Sequence, residues 1–273
     1  MFRRGRAETS TDPIRLIRDK GRGGPRGWQK GSQTVLMPAP FRLPVRITMT
    51  TLLALDTATE ACSVALLHEG RVLSHYEVIP RLHAQRLLPM IKALLAEAGV
   101  GLGALDAIAF GRGPGAFTGV RIAIGVVQGL AFGLDRPVLP VSTLATLAQR
   151  TMRERGVRQV AAAIDARMDE VYWGCYRAEE GEMRLLGGEA VLPPERAALP
   201  RGVGGDWFGA GTGWGTFADR LAVPVTSKDG NLLPHAEDVL SLATFAWARG
   251  EALPADQAQP VYLRDQVATP KGG

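Results

Sequence analysis

An apolar strand that closes on an aspartate occurs twice in this chain, first in LLALDTATEACSVALL at Asp56 and again in AAAIDARMDEVYWGCY at Asp165. Each copy alternates in the β manner through a turn and back, the first turn falling at Glu69-Gly70, so each predicts a three-stranded meander. After the first meander, HAQRLLPMIKALLAEAG puts Leu87, Leu88, Ile91, Leu94, Leu95 and Ala98 on one helical face and offers Gly99 as a C-cap. A strand over Leu105–Phe110 and a second helix follow. The order is β-β-β-α-β-α. Two such units in tandem imply an α/β fold duplicated around a cleft, the halves lying in 49–150 and 151–273. The second copy is the more degenerate, continuing through DWFGAGTGWGTF and the helical HAEDVLSLATFAWARG.

The second helix of the first half is unusual in composition. In GRGPGAFTGVRIAIGVVQGLAFGL, Gly125, Gly129 and Gly133 recur every fourth residue. Each interior glycine costs about 1 kcal/mol relative to alanine, so close approach of another backbone is the expected compensation. Between Val120 and Leu134 only Arg121 and Gln128 are polar, and they share one stripe. A helix lying on a sheet ordinarily keeps a broad polar face. This one requires cover on nearly all sides, either from a second protein surface or from complete burial within its own chain. The run Ile122–Leu134 is broken by Gln128 and falls short of the roughly 18 apolar residues of a membrane span, so no membrane is expected.

The net charge of +5 invites a nucleic-acid reading, but residues 1–48 hold 11 Lys/Arg against 3 Asp/Glu and the rest of the chain is slightly acidic. The basic leader is rich in Gly, Arg and Pro and has no apolar h-region, which excludes a signal peptide. Its composition predicts a disordered or untranslated extension, with Met49 as the start; a tRNA-binding arm or a transit peptide are the alternatives. Cys62 and Cys175 lie on predicted strands without CxxC spacing, which fits a reducing cytoplasm rather than a disulfide framework or a zinc site.

Taken together, LALDTATEACSVAL, GRGPGAFTGVRIAIGVVQGLA, DARMDEVYWGCY and the terminal PVYLR closely resemble the bacterial TsaB family, also called YeaZ, from Met49 almost to the C-terminus. The resemblance implies a duplicated actin-like ATPase fold, of the Hsp70-like, sugar-kinase-like and RNase H-like type. It implies a non-catalytic, activating dimerisation subunit that works with the catalytic paralogue TsaD and the ATPase TsaE. The reaction is threonylcarbamoyl transfer to the adenosine beside the anticodon of tRNAs reading codons that begin with A. A TsaC-type synthase makes the threonylcarbamoyl-adenylate upstream, and the tRNA is met indirectly. No cofactor of its own is implied, ATP or ADP with magnesium being left to the assembled complex. The resemblance also places the interface on the two helices of the first half, which form a bundle with TsaD or with a second copy. The residues so implied are His83, Leu87, Met90 and Leu94 with Val120, Arg121, Ile124, Gly125, Gln128, Gly129, Phe132 and Gly133.

Departures from the catalytic paralogue sharpen this expectation. Where that enzyme carries HxxxH after a Pro-Val pair, PVSTLATLA supplies Thr143 and Leu147, and Leu cannot ligate a metal. His68, His75, His83 and His235 nowhere form HxxxH or HExxH. His83 is expected as a capping or interface residue, and Ser63 and Ser142 have no paired histidine at recognisable spacing. Asp56 and Asp165 occupy positions where ATPases of this fold place carboxylates around magnesium, or else serve turn chemistry together with Thr57 and Thr59. The loop GPGAFTG, with Gly113, Gly115 and Thr118, is a weak phosphate cradle or a structural loop capped by Thr118. The stretch GAGTGWG misses GxGxxG spacing and is expected to let a strand meet a helix closely. An autonomous nucleotide phosphohydrolase or small-molecule kinase using the cleft is the alternative function.

Overall fold

The computed structural model describes residues 50–264 together with the short strand Gln33–Val35. The first sheet contains β1 (Gln33–Val35), β2 (Leu52–Asp56), β3 (Ala61–His68), β4 (Arg71–Val78), β5 (Ala107–Gly111) and β6 (Val138–Val141), in the order β1-β4-β3-β2-β5-β6. The expected meander is β2-β3-β4, antiparallel throughout, and β2, β5 and β6 run parallel. Every residue of β2 is buried, as an apolar run covered on both faces requires. One face takes α1 (His83–Ala98) and α2 (Phe117–Leu134), which bury Leu87, Leu94, Ala123 and Val127 against Leu53, Val64 and Phe110. Gly99 ends α1 in the left-handed conformation at φ 68°, where a side chain would be strained.

The second sheet contains β7 (Gln159–Arg167), β8 (Glu170–Glu179), β9 (Glu182–Leu185), β10 (Ala190–Leu192), β11 (Phe208–Ala210) and β12 (Ser227–Asp229). Its order is β10-β8-β7-β11-β12, with β9 also paired to β8. The strands β7-β8-β9 repeat the first meander. Where the first half has α1, the second has only β10 and a single turn at Pro194–Arg196, and where it has α2 there is the five-residue α4 (Thr212–Thr216). This is the duplicated actin-like α/β fold with a degenerate second half. The GAGTGWG glycines do what was expected of them. A Cβ on Gly209 would lie 2.6 Å from the Trp214 ring, one on Gly213 would lie 2.8 Å from Ala163, and one on Gly211 would overlap the Ala163 carbonyl.

The division at residue 150 follows the repeat but not the packing. It cuts through α3 (Thr143–Arg155), whose Leu144, Leu147 and Ala148 pack on Val160 and Ala162 of the second sheet. In exchange α5 (Ala236–Ala248) sets Val239, Leu240 and Ala243 on Leu52, Ala54 and Leu67 of the first. Each half buries an apolar helical stripe contributed by the other. The expectation for residues 1–48 falls outside the described residues, apart from Gln33–Val35, which pairs antiparallel with β4.

Counting from Ile122 understated the apolar helix. It begins at Phe117, and by length and composition its 18 residues meet the requirement of a membrane span. Its inner side is nevertheless committed to the protein core through Val120, Ala123, Val127 and Ala131.

Candidate functional site

The seat of α2 is cut to fit the β2–β3 turn. Thr57 Oγ1 donates to the Gly119 carbonyl at 2.7 Å, and the Ala116 amide donates to the Ala58 carbonyl at 2.8 Å. A Cβ on Gly115 would overlap the Ala58 carbonyl, and one on Gly119 the Thr57 carbonyl. Gly113 faces the Val261 carbonyl oxygen at 3.0 Å from where its Cβ would stand. Backbone carbonyl oxygens occupy the space beside these glycines, so close packing of the loop on the β2–β3 turn and on the chain at Val261 accounts for Gly113, Gly115 and Gly119. Thr118 is exposed and caps nothing. The helix starts two residues earlier, with Ala116 at the N-cap position, and no side chain there caps it.

Around α2 the two sides differ sharply. Val120, Ile124 and Val127 face the core, whereas Gly125, Gly129 and Gly133 are exposed and a Cβ on any of them would meet nothing within 4 Å. Phe132 beside them is 85% exposed, and Leu88 on α1 is 52% exposed. The glycine stripe thus faces outward, and complete burial within this chain is excluded. The polar stripe is bonded from within the chain: Gln128 Nε2 donates to the Ala258 carbonyl at 2.9 Å, and the exposed Arg121 donates from Nε to the Tyr262 hydroxyl at 2.9 Å while its guanidinium lies 3.8 Å over the Phe117 ring.

Half of the expected interface residues lie inside the protomer. Leu87, Met90, Leu94, Val120 and Ile124 belong to the core under the first sheet, and His83 is buried with Nε2 3.2 Å from the Ala61 carbonyl. Apolar periodicity marks the face a helix turns to its own sheet, and that face is already used. Leu88, absent from the expected set, is the outward one. The helical spacing puts it on one apolar face with Leu87, Ile91 and Leu94, but that face is wider than the sheet covers and Leu88 is left at its exposed edge.

Between the halves lies a cleft of about 770 Å³, bordered by Thr59, Gly115, Phe117, Asp165, Arg167 and Tyr262. Asp165 reaches it, with Oδ1 accepting from the Arg167 amide at 2.8 Å and Oδ2 from its guanidinium at 3.1 Å. Asp56 does not. It is fully buried, with Oδ1 accepting from the Ala58 amide at 3.0 Å and Oδ2 unpartnered beneath Gly111, and burial pushes its carboxyl up to about 7. The two aspartates are not brought into one site, and Asp56 serves its own turn. Sealed in this way, Asp56 offers no carboxylate oxygen to the cleft.

The remaining candidates are structural. Leu147 lies in the second core and Thr143 is fully buried. Ser142 caps α3 through the Ala145 amide and shares Glu189 with the Tyr176 hydroxyl. His235 caps α5, stacks on Tyr76 at 4.8 Å and is driven by burial down to about 3, so it is neutral. Cys62 and Cys175 are buried thiols, each pushed up to about 12 by burial.

Residues 75–240 match the family model described as TsaD, tRNA N6-adenosine threonylcarbamoyltransferase. The chain is 48% identical over 224 residues to the tRNA threonylcarbamoyladenosine biosynthesis protein TsaB of Escherichia coli strain K12, a match covering 81% of this chain and 97% of that one. It is 43% identical over 229 residues to the Haemophilus influenzae protein of the same name, covering 81% and 96%. Among solved structures, YeaZ from Pseudomonas aeruginosa superposes with a TM-score of 0.77 at 74% identity, covering 79% of this chain and 100% of that one. The chain belongs to the TsaB (YeaZ) family of tRNA threonylcarbamoyladenosine biosynthesis proteins.

Proposed function

We propose that this chain is a non-catalytic subunit that activates threonylcarbamoyl transfer to tRNA by pairing, through the outer face of α1 and α2, with a TsaD-type catalytic subunit. Alone it pairs with a second copy. A TsaE-type ATPase joins the complex, a TsaC-type synthase supplies the threonylcarbamoyl-adenylate, and the assembly works in the cytoplasm. ATP or ADP with magnesium belongs to that assembly rather than to this chain, and tRNA is met through the partner.

The observation that carries this reading is the exposed glycine stripe. Gly125, Gly129 and Gly133 leave open space over a helix otherwise apolar, with Phe132 and Leu88 on the same outer surface. Stripes of this kind admit a second helix at short distance, where dispersion contacts are dense. Conversely, the seryl, histidyl and aspartyl groups described above are engaged in caps, turns and the core.

The test is size-exclusion chromatography of the chain with a TsaD-type subunit, together with a tRNA threonylcarbamoylation assay. Co-elution and transfer that depends on both proteins are expected. Absence of pairing, or transfer by this chain alone, overturns the reading. Calorimetric titration with ATP and magnesium separates it from the phosphohydrolase or kinase alternative.

A further inference from the structure

Between Leu253 and Arg264 the backbone passes from the first half to the second with only a single turn, Ala255–Gln257, along the way. It is fastened at each step. Leu253 exchanges two backbone hydrogen bonds with Val138 of β6, at 2.7 and 2.8 Å. Ala258 is buried in the core beneath α2, where its carbonyl takes the bond from Gln128. The Val261 amide donates to the Arg112 carbonyl at 2.9 Å, and Tyr262 stacks on Phe117 at 5.6 Å.

The far end is held by the second half. Arg264 pairs with Glu170 and donates to the carbonyls of Ala166 and Arg167 at 3.3 and 3.4 Å. It thereby grips the β7–β8 hairpin tip, where Arg167, Met168 and Asp169 all adopt left-handed backbone at φ 63°, 54° and 59°. Consecutive non-glycine residues in that region are unfavourable and persist where surrounding contacts hold them. Tyr262, Leu263 and Arg264 also form one wall of the interlobe cleft. On α2, Arg121 stands one helical turn before Gly125, at the head of the exposed stripe.

We propose that Leu253–Arg264 is a strap that couples the interlobe cleft to the outer face of α2. Seated on the hairpin tip, it keeps Tyr262 against Phe117 and Arg121 and so holds those two side chains in one geometry at the head of the stripe. Unseated, it returns their rotamer freedom, and pairing must then restore that order, which weakens it. A molecule in the cleft that draws Arg264 away from Glu170 therefore loosens pairing, and by linkage pairing holds the strap down. This coupling rests on the reading of α2 as the pairing face.

The test uses the full chain with Arg264→Ala and, separately, Glu170→Gln, which preserves the shape of the hairpin. Two quantities are read: hydrogen exchange at the Val261 amide in the lone chain, and self-association by sedimentation velocity. Both variants are expected to speed Val261 exchange by about tenfold or more, because the strap opens as a unit, and to weaken self-association about threefold. Unchanged protection of Val261 overturns the strap, and lost protection with unchanged self-association overturns the coupling. Gly129→Leu run alongside separates the two readings: if it still self-associates normally, the assignment of α2 fails while the exchange measurement still judges the strap.

Discussion

The two halves begin with the same meander and part company over what covers one face of the sheet. In the first half two full helices, α1 and α2, lie there and leave an apolar outer surface open at Leu88, Phe132 and the glycine stripe. In the second half the counterpart is a compact cluster of Trp173, Trp207, Trp214, Phe217 and Leu221, with Trp214 donating from Nε1 to the Ala161 carbonyl at 2.9 Å. Large aromatics from β8, the short α4 and the loops beside them finish the second half as a closed core, whereas long helices leave the first with an apolar outer face. Duplication therefore supplied two similar sheets, and the helices decide which one keeps an apolar outer face.

This contrast is broken most severely on the closed side. Gly211→Val places a β-branched side chain at φ 105° against the Ala163 carbonyl and the Leu147 side chain, so it is expected to cost more than about 4 kcal/mol and to abolish cooperative thermal unfolding of the second half. Trp214→Ala is expected to lose about 3–5 kcal/mol in urea unfolding, since it empties a fully enclosed indole site. A mild effect of either change would mean that the second half is not closed as described.

On the open side, Gly129→Leu is expected to do the opposite. The added side chain meets nothing, so folding stability stays level or rises by several tenths of a kcal/mol from helix propensity. Pairing with the TsaD-type subunit should weaken by about 2 kcal/mol or more, the scale of a binding hot spot. Gly125→Leu should behave alike, and melting curves run beside size-exclusion profiles read both quantities. Early melting, or a folded variant that pairs normally, places the interface elsewhere.

Much of this contrast was legible in the sequence, because it rests on local pattern. The meanders, the C-cap at Gly99 and the four-residue glycine period are all set within one element. The glycines of GAGTGWG announced close approach for the same reason. What escaped was non-local. Nothing near Arg121 or Gln128 shows that Tyr262 and Ala258 will bond to them, and nothing near Leu147 or Leu240 shows that α3 and α5 will exchange sheets. Periodicity likewise could not tell Leu87, facing the core, from Leu88, facing outward, without knowing which side the sheet takes. The matched aspartates show the limit most plainly: their sequence contexts are alike, yet Gly111 roofs Asp56 while Asp165 opens on the cleft.

That last difference gives the smallest and most specific effect. Asp56 is fully buried and its carboxyl is raised from 3.8 to about 7 by desolvation, so the folded chain holds a proton there that the unfolded chain has already released. Its contribution to stability is complete below about pH 4 and is lost as pH rises through about 7. His235 has the opposite sign. Burial lowers it from 6.5 to about 3, so the unfolded chain takes up a proton first, and stability is lost as pH falls through that window. Asp56→Asn removes the ionisation while an amide oxygen can still accept from the Ala58 amide, and it is expected to stabilise the chain by about 1–2 kcal/mol at pH 8, less than the roughly 4 kcal/mol that the full rise from 3.8 to about 7 corresponds to, because its NH2 group takes the unpartnered Oδ2 position under Gly111 and is buried without an acceptor. The gain should shrink to a small remainder as pH falls to 4, where the folded carboxyl is neutral and the unfolded one only about half ionised, and the acid limb set by His235 should stay as it was. Urea unfolding of both proteins between pH 4 and 8 measures this. A gain independent of pH would trace to packing under Gly111 instead, and no gain at pH 8 would show that Oδ2 meets a partner that stabilises its charge.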